Sequence, residues 1–177
     1  TGALGDMQDF DSGELTGLNK TILNEAIANK IIKVEKELCL YGRNSRPLLQ
    51  FLEFSSNPVI PLISANPENC SALLQKLGIE LKVNEKWRTY LDLNQDEKRK
   101  LVSGLVCHLI DLGMEKKAEK LIGFTYSLLS ESVESPLYDL KQFSTLINSC
   151  SRHDLNEIAL KVCLGDCVSI TSKGASA

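Results

Sequence analysis

Long hydrophobic runs are missing from this chain. Its 177 residues contain no stretch of about 18 consecutive apolar residues, so no membrane-spanning helix is expected. Aromatic residues are sparse at 6%, with a single Trp, and they form no evident platform for stacking bases. Histidine is scarcer: only His108 and His153 occur. A strong excess of one charge is also absent. The 20 Lys and Arg residues nearly balance the 23 Asp and Glu residues, for a net charge of -3. That argues against a dominant nucleic-acid field and leaves only local basic patches. Paired-cysteine motifs are lacking too. The six cysteines, Cys39, Cys70, Cys107, Cys150, Cys163 and Cys167, are scattered. Cys163-x3-Cys167 lacks the two further ligands that a structural zinc ion requires. Cys70, Cys107 and Cys150 sit inside helical patterns, which points to reduced, mostly buried thiols and a cytoplasmic protein.

What is present suits a folded protein. The apolar fraction of 43% is that of an ordinary globular domain. The length suits one domain, or one plus part of another. The chain opens on Thr1-Gly2-Ala3-Leu4-Gly5-Asp6-Met7-Gln8-Asp9. Small residues run there straight into two carboxylates, so the sequence reads as a fragment of a larger protein.

Periodicity supplies the expected elements. Residues 1–9 read as the end of a buried strand and its loop, and the loop continues through Gly13 and Gly17. A helix is expected over 18–29, with Ile22, Leu23, Ala26 and Ile27 on one face. Residues 31–40 alternate as an extended segment. Residues 41–47 form a turn, and Pro47 suits the first position of a short helix to about Phe54. Asn57-Pro58-Val59-Ile60-Pro61 is a connector.

Asn66 then caps a helix that starts at Pro67 and stops at Gly78. Asn94 and Glu97 resemble a capping box. Behind them Leu101, Val102, Leu105, Val106, Leu109 and Ile110 form a helical stripe that ends at Gly113. A second helix, 115–130, is expected to carry Ala118, Leu121, Ile122, Thr125, Leu128 and Leu129 and to fold back on the first. Residues 131–138 read as a linker. Leu140, Phe143, Ile147 and Cys150 mark another helix. Asp154 and Glu157 resemble the cap of a last one, with a strand from Val162 to Leu164 as the alternative, and 169–177 as a frayed tail. The fold class expected is mainly α with minor β, an α+β fragment.

Three segments together resemble a known family. Thr1 to Asp9 is similar to the fourth motif of DHH-superfamily phosphoesterases. Leu40-Tyr41-Gly42-Arg43-Asn44-Ser45-Arg46-Pro47-Leu48, followed by Asn57-Pro58-Val59-Ile60-Pro61, resembles the segment after that motif in archaeal RecJ-like single-strand nucleases. Phe143-Ser144-Thr145-Leu146-Ile147-Asn148-Ser149-Cys150-Ser151-Arg152, with Cys163-Leu164-Gly165-Asp166, resembles the start of their C-terminal substrate-binding domain. Ser149 and Ser151 replace small residues of the usual Asn-Ala-Cys-Gly-Arg form.

The resemblance implies three parts: the end of a DHH domain over 1–56, a helical insertion over 57–135, and the start of a DHH-associated domain over 136–177. It implies a metal-dependent exonuclease acting on single-stranded nucleic acid, DNA or RNA, in DNA replication or repair, with Mn²⁺ or Mg²⁺ held by hard oxygen and imidazole ligands. Asp9 falls at a metal-ligand position, with Asp6 as the alternate. The other ligands of that family come from motifs not present here, so residues 1–177 alone are expected to be inactive. Asn148, Arg152, Arg43 and Arg46 are the candidates for gripping single-stranded nucleic acid. The alternative is a non-catalytic module whose helical insertion docks a GINS-type replication protein. His108 lies in an apolar helix and reads as a packed histidine rather than a ligand, and His153 as exposed. Lys98-Arg99-Lys100 read as the wet face of their helix, and Trp87 and Tyr90 as core or partner contacts.

Overall fold

The computed structural model describes residues 1–9 and 14–165. It is an α+β protein. In chain order the elements are α1 (Gly2–Gly5), α2 (Gly17–Ala28), β1 (Ile32–Leu38), α3 (Leu48–Glu53), α4 (Pro67–Lys76), β2 (Lys82–Val83) and β3 (Lys86–Trp87). A 3-10 turn (Tyr90–Asp92) leads into α5 (Gln95–Asp111), α6 (Glu115–Leu121), β4 (Ile122–Leu128), α7 (Leu140–Arg152) and α8 (Asn156–Cys163).

The centre is a two-stranded antiparallel ribbon. Ile32 of β1 faces Leu128 of β4, and Leu38 faces Ile122. The ribbon divides two apolar cores. One gathers Leu38, Phe51, Leu52, Leu74, Tyr90, Leu101, Leu105 and Leu109 with the helices α3 to α6. The other gathers Leu4, Leu15, Tyr126, Leu140, Phe143 and Val162. Thus one strand end feeds the helical middle of the chain and the other feeds the two termini.

The helical middle forms where caps and periodicity agree. The Asn66 side chain accepts from the Asn69 N–H at 3.0 Å, with Pro67 first in the helix. Asn94 accepts from Asp96 and Glu97, while Glu97 accepts from the Asn94 N–H at 2.9 Å, closing a full capping box. Leu101, Leu105 and Leu109 are fully buried along one line of α5, whereas Ile110 stands 49% exposed at its edge. Pro47 occupies the cap of α3, one residue before the position expected.

Four sequence expectations are corrected. Residues 1–9 are not a strand: Gly5 N–H bonds Thr1 O and Asp6 N–H bonds Gly2 O, so the backbone satisfies itself as a helical turn. That turn lies on α7, close enough that a Cβ on Gly5 would sit 3.4 Å from Ser144 Cβ. The helix expected over 115–130 ends at Leu121, and β4 replaces its second half. Ile122, Phe124, Thr125 and Tyr126 fit a pleated surface better than a helix, Gly123 weakens a helix, and β1 pairs with them along seven positions. Asp154 caps nothing. It adopts φ +57 in the turn before α8, which starts behind Leu155 without a side-chain cap. Residues 162–163 remain helical. The face expected on α2 is largely open, with Ile22 56% and Ile27 41% exposed. Asp166, Cys167 and the tail from Ser169 lie outside the described residues.

Candidate functional site

The turn between β1 and α3 places the chemistry. Gly42 takes φ +94, which lets the chain reverse and sends Arg43 inward. Arg43 is 1% exposed. Its Nε donates to Asp139 Oδ2 at 2.5 Å, its Nη2 to Ser127 Oγ at 2.8 Å, and its Nη1 to Glu37 Oε1. Glu37 also accepts from Thr125 Oγ1 at 3.2 Å and from Lys98 Nζ at 3.4 Å. Asp139 uses its other oxygen to cap α7, accepting from Lys141 N at 2.9 Å and Gln142 N at 3.1 Å.

Neighbouring residues of the turn extend the web. Asn44 Nδ2 donates to Val133 O and Ser135 O, both at 3.0 Å. Its carbonyl oxygen accepts from Gln142, which in turn accepts from Ser45 Oγ at 2.7 Å. Among the described residues no buried side-chain nitrogen or oxygen lacks a partner. Burial opposes the charge on Arg43, but Asp139 and then Glu37 more than offset it and hold the guanidinium above its ordinary pKa. Burial pushes the phenol of Tyr90 far above its usual value, reinforced by the charge of Glu37. Lys98 lies 4.8 Å from the centre of that ring. It is therefore half-buried and paired, and only Arg99 and Lys100 form the wet face expected of all three.

A second charged group lies beside this web. Asp9 is 8% exposed, and its Oδ2 sits 2.7 Å from Lys141 Nζ. The same ammonium lies 3.6 Å from Cys39 Sγ. Burial pushes the Cys39 thiol up, and Lys141 pulls partly against that. Asp6 is exposed. The ammonium occupies the space beside Asp9 where a cation would sit. Among the described residues no three His, Cys, Asp or Glu side chains converge to hold a metal ion. The residues present thus do not by themselves fit a two-metal centre.

The four candidates for nucleic acid separate into different settings. Arg43 is consumed by the web and presents no edge outward. Arg46, three residues on, lies over the rings of Tyr41 and Phe54 at 4.9 and 5.3 Å. Asn148 and Arg152 are exposed, one helical turn apart on α7. His108 Nε2 bonds Pro61 O at 2.8 Å, as expected of a packed histidine, and His153 is exposed. Tyr90 is core, whereas Trp87 is 49% exposed under Lys82.

Sequence reading missed Glu37, Ser127, Asp139 and Lys141. Asp139 carried a signal, since an Asp three residues before Gln142 and just ahead of an apolar helix is a cap pattern. Glu37 carried none, because a charged residue in a strand reads as solvent-facing.

Residues 40–122 match the DHH-CID domain. The match supports a place for the chain among DHH-family proteins. The chain is also similar to the uncharacterized protein MJ0831 of Methanocaldococcus jannaschii, at 26% identity over 171 residues. That alignment covers 96% of this chain but 34% of the relative, so the chain spans about a third of the relative's length. The DHH-CID segment coincides with the larger apolar core, whose buried members run from Leu38 to Leu121. It contains Arg43 and Arg46, while Asp9, Asp139, Asn148 and Arg152 lie outside it. The buried web around Arg43 therefore ties this segment to the chain on either side. No helix among the described residues is long and apolar enough to cross a membrane.

Proposed function

We propose that this chain is part of a RecJ-like phosphoesterase that hydrolyses phosphodiester bonds of single-stranded nucleic acid. The observation that carries the reading is the DHH-CID match over 40–122, flanked by a first segment bearing Asp9 and a helix bearing Asn148 and Arg152. Arg152 supplies a planar donor for phosphate, and Asn148 reaches a sugar or base edge. Mn²⁺ or Mg²⁺ would polarise the phosphate and activate water when bound. Its ligands cannot all come from residues 1–177, so this stretch alone binds without cutting.

The test is Mn²⁺-dependent cleavage of an end-labelled single strand by the complete gene product and by residues 1–177. Cleavage by the first and not the second is expected. Absence of cleavage by the complete product in Mn²⁺ and Mg²⁺ would remove the enzyme reading.

One observation favours a second reading. The Asp9 carboxylate is already matched by Lys141 at 2.7 Å, an arrangement that needs no metal. On that reading the DHH-CID segment serves as a non-catalytic docking module for a GINS-type replication protein. Cleavage by the complete gene product that Asp9→Ala abolishes would remove this second reading.

A further inference from the structure

Two arginines in one turn have opposite fates. Arg43 spends its donors on Glu37, Ser127 and Asp139. The Arg46 side chain meets no carboxylate or other hydrogen-bond acceptor among the described residues; it lies instead against two rings. Its stem is nonetheless held. A Cβ on Gly42 would lie 2.5 Å from Arg46 Cδ and 2.8 Å from its Cγ, so only a glycine lets the stem rest there. The Arg46 N–H also bonds Gly42 O at 2.9 Å. Arg46 Cζ lies within cation–π distance of both rings, and its N–H groups make no side-chain hydrogen bond among the described residues. Tyr41 and Phe54 are themselves 42% and 51% exposed. The result is a held cation with open donors, beside two aromatic rings that water still reaches.

We propose that Tyr41, Arg46 and Phe54 form a binding site for one nucleotide unit of a single strand. The Arg46 guanidinium takes the phosphate through paired N–H bonds, and a base stacks on the open ring of Tyr41 or Phe54. A phosphate alone would need no rings and a plain hydrophobic partner would need no cation. A nucleotide uses both. The side chain is already ordered by its ring contacts, so binding costs less rotamer freedom than for a free surface arginine. The proposal rests on the nucleic-acid reading above and names where in the DHH-CID segment the strand is gripped.

The test is fluorescence anisotropy of the whole chain with a labelled oligothymidylate of about 12 nucleotides, within the span such grooves occupy. Arg46→Ala should weaken binding about fivefold or more and lower the slope of log K against log salt by about 0.7, one phosphate contact. Tyr41→Leu and Phe54→Leu should weaken binding about fivefold or more with the salt slope unchanged, because stacking releases no counterions. Arg46→Lys should keep the slope and recover part of the affinity. Circular dichroism of each variant confirms that the fold is retained.

If the wild type binds, Arg46→Ala binds equally with the same slope, and Arg152→Ala weakens binding, this site is overturned while the nucleic-acid reading stands. If the wild type does not bind the strand, both fall. If polyglutamate displaces the strand at equal charge concentration, the site recognises protein carboxylates and the nucleotide assignment is overturned.

Discussion

Arg43 and Asp139 stand 96 positions apart in the chain and meet at 2.5 Å, Nε to Oδ2, with both side chains buried. The contact joins the turn that opens the DHH-CID segment to the cap of α7. Glu37 completes a charge balance in which Arg43 and Lys98 face two carboxylates. Removing one member of such a web leaves the others buried and uncompensated, which costs more than the web itself contributes.

Arg43→Met should therefore destabilise the fold by about 3–5 kcal/mol. Arg43→Lys should recover little, because one ammonium cannot match three partners placed for Nε, Nη1 and Nη2. Urea midpoints of the two variants check this. A Lys variant with wild-type stability would contradict it.

The start of α5 should be sensitive to acid. Paired hydrogen bonds from Arg88, at 2.7 and 2.6 Å, hold the Glu97 carboxyl below its ordinary value. A depressed folded pKa means that its stabilisation is present above the unfolded value near 4.3 and is lost as pH falls through the folded one. Glu97→Gln should lower stability at pH 7 by about 1–2 kcal/mol through loss of the charge-assisted bonds. Between pH 5 and the acid limit the variant should lose less stability than the wild type. Denaturation midpoints across that range measure the difference.

Thiol labelling should sort the cysteines by burial. Cys107 and Cys163 are exposed and should react first with an alkylating agent. Cys70 is fully buried and its thiol is pushed up to about 11, so it should react only on unfolding. Cys39, raised by burial, should also lag, and Lys141→Met should slow it further by removing the nearby positive charge. Peptide mass mapping after timed alkylation reads all four.

The α5 stripe should be uneven in its energetics. Leu105→Ala should cost about 2–5 kcal/mol, because the site is closed on all sides. Ile110→Ala should cost under about 0.5 kcal/mol, since Ile110 is half exposed. Thermal midpoints of the two variants test the contrast. A helix packed equally on both residues would give similar losses.

Local signals were legible wherever neighbouring residues decide the outcome. The Asn66 and Asn94 caps, the Gly78 and Gly113 stops and the Leu101–Leu105–Leu109 line all act within one or two turns, and each stands where the pattern put it. The second half of the helix expected over 115–130 was misread because helical and strand spacings both fit a short apolar run. What settled it was β1, more than 80 residues upstream, whose Glu35 carbonyl accepts from Thr125 Oγ1. The candidate site divided in the same way. Arg46 was visible in the sequence as a basic residue in a turn, but nothing in the spacing of Tyr41 and Phe54 showed that a Pro47-capped helix would return the second ring to the same cation.

The amino-acid order alone determined the caps, the stops, the buried stripe of α5 and the turn at Gly42, since each depends on backbone preference and side chains within reach along the chain. Only the tertiary structure decided that Arg43 would be buried and Arg46 left open. Burying a guanidinium requires carboxylates at fixed distances, and Asp139 is brought to Arg43 by the β1–β4 pairing and the linker that follows it. No local rule could assign that partner, because the desolvation it offsets exists only once the two cores have closed around it.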